Sequence, residues 1–319
     1  VWAVGNNGAV VHFDGAAWEF VPDFYNFDIE DIWGRSPSDL YAVGEAGFGY
    51  RYNGQDWSDL GFCGYVEHYR GWGDDTGHLY TAGWGGRVYE YDGNDWNRMD
   101  TGTIFGLSGI WGTPSGNMVA AGNFGKIIGY DGVTWDALCS GAAVNLNAIW
   151  GSAQDNVYAA ADFGLLFQYD GSKWNEIFLQ TERGVQAIWG SSANDVFAVG
   201  DQGIAYHFDG ADWREQYTYT SERLWSIWGS GALDVYAVGS QRKVVHYDEA
   251  GWDSLDVDLD FDPWVVWGTS SENVFIAGDE GGITRYDGEA WRRMSSGTEK
   301  GIMALWGAGE DAIFAVGVE

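Results

Sequence analysis

Lysine is almost missing from this 319-residue chain: it occurs only at Lys126, Lys173, Lys243 and Lys300. Lys and Arg together number 16 against 47 Asp and Glu, a formal net charge of −31 at pH 7. That balance excludes nucleic acid as a partner, because affinity for a phosphate backbone rests on Lys and Arg displacing its counterions. Solubility of a self-repelling surface is the plain reading of the acidity, and calcium or a cationic partner the sharper one. Long apolar runs are lacking too. None reaches 18 residues, so no segment reads as a membrane-spanning helix. The chain opens inside a repeat, at Val1-Trp2-Ala3-Val4-Gly5, so the lack of a leader sequence carries no information. Proline occurs four times against 49 glycines, which suits many tight turns between short strands.

What the chain does have is a period. Trp-Gly pairs begin at Trp33, Trp72, Trp111, Trp150, Trp189, Trp228, Trp267 and Trp306, each 39 residues after the last. A second ladder runs in step at Trp18, Trp57, Trp96, Trp135, Trp174, Trp213, Trp252 and Trp291. Self-similarity at this period means identical units stacked in one architecture. Within one unit, Gln186 to Gly190 and Val196 to Gly200 are apolar runs, Asp201-Gln202-Gly203 is a tight turn, and Ile204 to Phe208 is a third run. Asp209-Gly210-Ala211-Asp212 then turns into a fourth strand from Trp213, polar after its Trp. Four short strands per unit, apolar inside and polar outside, predict an all-β, eight-bladed β-propeller with four antiparallel strands per blade. The chain reads as one domain, 1–319, with blades at 33–71, 72–110, 111–149, 150–188, 189–227, 228–266, 267–305, and 306–312 together with 1–32. The N- and C-terminal segments thus share the closing blade. Ile313 to Gly317 duplicates Val1 to Gly5, so two segments compete for one strand position there: either one frays or adds at an edge, or the chain is a window on a longer repeat array. Cys63 and Cys139 fall two repeats apart, too far to bridge in such a ring, and are expected to be free thiols.

The turn Asp-Gly-x-x-Trp with an aromatic before it, as in Phe13-Asp14-Gly15-Ala16-Ala17-Trp18, Tyr91 to Trp96, Tyr169 to Trp174 and Tyr286 to Trp291, resembles the tectonin repeat and, more loosely, the Asp-box of secreted bacterial propellers. The resemblance spans all eight units. It lacks the Ser or Thr before Asp of a strict Asp-box, and Asn53 and Glu249 depart from the pattern. It implies a propeller, and by fold analogy a glycan-binding or recognition role.

Comparing the eight units separates scaffold from variation. Sixteen of the 20 tryptophans stand in the ladders and read as blade-on-blade packing with the indole N–H satisfied. The turn aspartates read as acceptors of their own backbone N–H groups. Variation gathers in the turn between strands two and three and in the connection from strand four to the next blade. Both emerge on one face of the disc, where rigid scaffolds carry function on their variable loops. Trp84, Trp225 and Trp264 stand outside the ladders on that side. Trp225 and Trp264 share one slot just before the innermost strand, held elsewhere by Glu30, Tyr69, Ser108, Asn147, Gln186 and Met303. With Tyr25, Tyr69, Tyr217 and Tyr219 they are the candidate ligand-binding residues, as aromatic platforms for a sugar ring or a partner side chain.

Catalytic and metal signals are weak. His12, His207 and His246 share one slot and read as outward polar positions on strand three. No His/Cys ligand spacing, phosphate loop or nucleophile elbow occurs. Asp256, Asp258, Asp260 and Asp262 alternate as a strand would place them on one side, but neighbours about 7 Å apart are too splayed for calcium without other ligands. No cofactor is expected, and no catalytic or metal residue is assigned. The sequence reading is a non-enzymatic, lectin-like protein, extracellular or at the cell surface, binding a glycan on the variable face. The alternative is a protein–protein interaction platform or structural module of a larger surface protein; a glycoside hydrolase-like enzyme ranks third. Because the variable face does not repeat, one composite site or a cell-surface protein partner is favoured over an array of equal sugar sites.

Overall fold

The computed structural model describes residues 2–316 apart from 5–7, 9, 14–16, 22–23, 25–26, 37, 63–67, 75, 140, 142 and 310–311. They form eight sheets, seven of four antiparallel strands and one of five. Blade five is representative: innermost strand Val185–Ser192, then Asp195–Gly200, Ala205–Phe208 and outer strand Trp213–Gln216. The innermost strand of each blade packs between those of its two neighbours. That of blade eight, Ala304–Gly309, packs between those of blades seven and one, which closes the ring.

The innermost strand starts four residues before its Trp, at Val185 for Trp189 and Leu224 for Trp228, so each blade begins earlier than its Trp-Gly pair. In the closing blade the two duplicate segments do not compete. Ala312–Val316 pairs with Ala304–Gly309, and Trp2–Val4 lies beside it in parallel, with Trp2 opposite Phe314 and Val4 opposite Val316. The strand Val10–Phe13 then pairs with Trp2–Val4. The blade widens to five strands and keeps both.

Burial follows the sequence gradient. The second strand is buried from Val196 to Gly200, whereas the outer strand Trp213–Gln216 exposes its two central residues. Each fully buried Val, Leu or Phe is worth roughly 1.5–3 kcal/mol, so stability is held mainly in the layers between blades. The second Trp ladder builds those layers. Trp213 meets Tyr158 of the preceding blade edge to face, with ring centroids 5.9 Å apart, and Trp252 meets Phe197 at 6.1 Å. The indole N–H groups are not satisfied as the sequence suggests. Those of Trp18, Trp96, Trp174, Trp213 and Trp252 are buried without a protein acceptor, whereas Trp135 points at Met99 Sδ at 3.3 Å. Packing sets the ring's position, because the area buried on an indole outweighs one unmade hydrogen bond.

The Asp-Gly-x-x-Trp turns lie on the constant face and close on themselves. Asp170 Oδ1 accepts N–H bonds from Ser172 and Lys173 at 2.9 and 3.0 Å, and Asp92, Asp131, Asp209 and Asp287 repeat the geometry. Those bonds to the ionised form hold the carboxyls below their ordinary values. Next to them, a side-chain relay crosses three strands. His207 Nε2 lies 2.7 Å from Asp195 Oδ1, Asp195 accepts from Ser191, and the imidazole stacks on Phe197 at 4.1 Å. Blade six repeats it with Ser230, Asp234 and His246. Blade four substitutes Ser152, Asn156 and Gln168, and blade seven Thr269, Asn273 and Arg285. His207 and His246 are therefore half-buried members of a structural network, not outward polar positions; a neighbouring carboxylate draws each ring into the blade.

Candidate functional site

The opposite face is built from two connections tied together. In blade five Asp201 N–H donates to Gly184 O at 2.9 Å, fixing the turn between strands two and three against the residue before the innermost strand. The same bond recurs from Glu45 to Asp28, Asn123 to Gly106 and Asp279 to Asp262. The connection after strand four folds over this turn. Thr218, buried, donates its hydroxyl to Gly203 O at 2.6 Å, and Thr101 does the same to Gly86 O at 2.5 Å. Gly203 has φ +71° and lies so close under the Thr220 carbonyl that a Cβ could not fit. The segment that looks unrelated from repeat to repeat thus carries a common frame: a buried Thr or Ser at 101, 218 and 296, and a Thr carbonyl at 103, 181, 220 and 298 over the turn glycine. Its sequence trace is two shared repeat positions, one held by Thr101, Thr218 and Ser296 and the other by Thr103, Thr181, Thr220 and Thr298.

On this frame the variable residues stand outward, at a cost. The middle residue of the turn is left-handed in every blade where it is described. Ala46, Phe124, Phe163, Gln202, Gln241 and Glu280 take φ of 51–59°, and only blade two uses glycine, Gly85. Left-handed backbone disfavours a side chain by roughly 1–2 kcal/mol. Phe124 and Phe163 carry a second penalty, since 64% and 58% of each remains in water. Every exposed aromatic residue among those described lies on this face: Phe27, Trp84, Phe105, Phe124, Phe163, Phe178, Tyr217, Tyr219 and Trp225.

Of the residues predicted from sequence, Trp84 opens the turn of blade two and is 61% exposed. Tyr217 and Tyr219 project on either side of buried Thr218 and meet at 4.6 Å, edge to face; Tyr219 is itself left-handed, φ 56°. Trp225 and Trp264 are inside the innermost strand rather than before it. Each is the extra residue of a β-bulge, between Leu224 and Ser226 and between Pro263 and Val265. A bulge residue has no partner across the ladder and its side chain is re-aimed. In blades three and four it stitches outward: Ser108 Oγ donates to Leu146 O at 2.5 Å and Asn147 Nδ2 to Val185 O at 2.9 Å, both in the next blade. No ring contact joins Trp84 or Trp264 to the other candidates among the described residues. The side chain of Tyr69, all of Tyr25 and Cys63 lie outside the described residues. Sequence reasoning missed Phe105, Phe124 and Phe163, which with Trp84 form an arc over blades two to four, Phe105 and Phe124 touching at 5.1 Å. Two aromatics at a turn position held elsewhere in the sequence by Asn, Ala, Gly, Gln or Glu were the available signal. Arg223 was missed as well; its guanidinium lies 4.7 Å over the Trp225 ring and pairs with Asp201.

The face is acidic at its inner edge. Glu45, Asp162, Asp201 and Asp279 open four of the turns; Asn147 Nδ2 donates to Asp162 at 3.0 Å and Gln186 Nε2 to Asp201 at 3.2 Å. Deeper along the innermost strand of blade one, burial raises the Asp31 carboxyl. The Arg70 charge and N–H bonds from Gly71 and Ile32 pull the other way. Asp256, Asp258 and Asp260 do face outward, with Val257, Leu259 and Phe261 buried between them, but Asp260 pairs with Arg293 at 2.8 Å. No cluster of three or more His, Cys, Asp or Glu among the described residues is arranged to hold a metal ion, and no helix among them is long and apolar enough to cross a membrane.

No family model and no curated protein matches the chain, so the tectonin-like resemblance gains no support there. Solved propellers do match. A YCF48 structure described as bound to D1 peptide aligns with TM-score 0.59 at 18% identity, covering 77% of this chain and 89% of that one. YCF48 from Cyanidioschyzon merolae aligns at 0.58 and 15%, covering 78% and 91%. The C-terminal WD40 domain of Sif2 aligns at 0.67 and 11%, covering 85% and 87%. At these identities the likeness establishes the β-propeller fold.

Proposed function

We propose that the chain is a protein-interaction propeller that takes up a segment of another polypeptide on the face carrying the turns between strands two and three. One observation carries this reading: six of those turns hold a residue with a side chain in left-handed backbone, where glycine would cost nothing. Strain of this kind persists where a side chain is needed in place, and at two of the six, Phe124 and Phe163, it holds an aromatic ring in water. A relative in fold, described as bound to a peptide, uses the same architecture for such a partner.

The test is selection of peptides from a displayed random library on the whole chain, repeated on the double variant Phe124→Gly, Phe163→Gly. Peptides retained by the wild type and lost by the variant support the reading. A library that yields no binder, together with hits on a broad glycan array that depend on Tyr217 and Tyr219, overturns it in favour of the tectonin-like, sugar-binding alternative.

A further inference from the structure

Blades six and seven carry the same tryptophan in the same bulge, and they differ in what sits beside it. In blade six the chain supplies its own ligand. Arg223, two residues before Trp225, lies over the indole at 4.7 Å and closes an ion pair with Asp201 from the neighbouring turn. The same chemistry recurs with Arg293, which lies 5.2 Å over Phe261 and 2.8 Å from Asp260. Guanidinium on an aromatic face beside a carboxylate is a favourable seat worth roughly 0.5–2 kcal/mol from the ring alone.

At Trp264 the seat has the opposite composition. The position two residues earlier is Asp262, a carboxylate where blade six has the guanidinium, and the neighbouring turn opens with Ser240 where blade five has Asp201. Asp262 uses Oδ1 to accept the Arg242 N–H at 2.9 Å, and its own N–H donates to Asp279 Oδ1 at 2.6 Å. That bond holds a second carboxylate beside the first, and Glu280 follows in left-handed backbone. Among the described residues no guanidinium or ammonium lies over the half-buried Trp264, and none of these three carboxylates has an ion-pair partner.

We propose that Trp264 with Asp262 and Asp279 forms a seat for an arginine side chain of the bound polypeptide, the external counterpart of Arg223 on Trp225. The proposal rests on the interaction reading above and gives its partner a chemistry: a segment with an arginine to set beside the innermost strand of blade seven. A chain of net charge −31 draws such a segment toward it, and the seat fixes where the cation stops.

The experiment uses the whole chain labelled with 5-fluorotryptophan, the Trp264 resonance being the one lost in Trp264→Phe. The probe is Ac-Gly-Arg-Gly-amide, compared with its citrulline analogue, which keeps the shape and loses the charge. The arginine probe is expected to move the Trp264 signal saturably, with the citrulline analogue weaker on the order of tenfold. Installing the blade-six solution, Ser240→Asp with Asp262→Arg, is expected to fold normally and abolish the response, since the seat is then filled from within. Equal responses to both probes, no response to arginine, or an undiminished response in the doubly substituted chain each overturn the seat. The peptide selection described above depends on Phe124 and Phe163, so binders that lack arginine yet need those two side chains remove the seat and leave the interaction face standing.

Discussion

The indole of Trp189 occupies the space that a side chain at position 229 would need: a Cβ added to Gly229 would stand 2.6 Å from Trp189 Cη2. The relation repeats one blade on, where Gly268 lies against Trp228 at the same 2.6 Å, and one blade back, where Gly190 lies against Trp150 at 2.7 Å. This explains why Trp and Gly travel as a pair. Each Trp covers the glycine of the next pair, so neither residue can change without disturbing two blades.

Gly229→Ala is therefore expected to destabilise the chain by about 1–3 kcal/mol, the usual cost of forcing one methyl group into a packed core. Gly231→Ala, in the same strand with open space around it, is the control and should stay within about 0.5 kcal/mol of wild type. Urea denaturation of both variants checks the pair. Equal effects would mean that the indole has room to move.

Relief of the left-handed turns should run the other way. Phe124→Gly and Phe163→Gly each remove a side chain that is mostly in water and put glycine where φ is 57° and 59°. Stability is expected to hold or to rise by up to about 1 kcal/mol, while peptide binding falls. A marked loss of thermal stability would show these rings to be structural anchors.

Thr218→Val keeps the shape of a buried residue and deletes its hydrogen bond to Gly203 O. The orphaned carbonyl and lost bond should cost about 1–3 kcal/mol. Because that bond pins the loop bearing Tyr217 and Tyr219 to the turn, hydrogen exchange should accelerate locally over residues 201–203 and 217–222. Uniform acceleration across the blade would argue that the hydroxyl supports the whole sheet and not the loop.

Acid should expose the strand-crossing relay in blade six. Burial by itself would raise the Asp234 carboxyl, but hydrogen bonds from His246 and Ser230 and the charge of His246 together lower it. A carboxyl held below its unfolded value of about 4 contributes stability above that pH, and the contribution fades as the pH drops through the folded value. The wild type should exceed Asp234→Asn in stability at pH 6, with the gap closing below pH of about 4. A gap independent of pH would assign the difference to packing.

The architecture was legible in the sequence because it depends on periodic events. Trp189, Gly190, the aromatic-Asp-Gly turn and Trp213 each recur at a fixed offset, and a propeller built from equal blades requires that recurrence. The acceptor role of Asp170 and the gradient from Val196 to Arg214 could be read for the same reason. The face could be chosen as well, since the two variable connections must emerge together in an antiparallel blade.

The details of the site were not legible, and the reasons are particular. Trp225 looks like a residue before a strand because a bulge breaks the alternation that marks strands. Phe124 and Phe163 look like ordinary turn residues because left-handed backbone leaves no mark when the residue is not glycine. His207 looks outward until Asp195, 12 positions away, is seen 2.7 Å from its ring. Arg223 on Trp225 is a contact of a side chain with its near neighbour, yet its purpose is visible only with Asp201 from another blade beside it.

By itself, then, the sequence determined the number of blades, their order and the face on which they differ, because backbone pairing and core packing are the same in every repeat. The tertiary structure alone decided that both duplicate segments enter the closing blade, that five of the ladder indoles bury their N–H groups without a protein acceptor, and that the bulge tryptophan of blade six is covered by the chain's own Arg223. Those outcomes turn on contacts between different repeats and on competition between burial and hydrogen bonding, which no single period encodes.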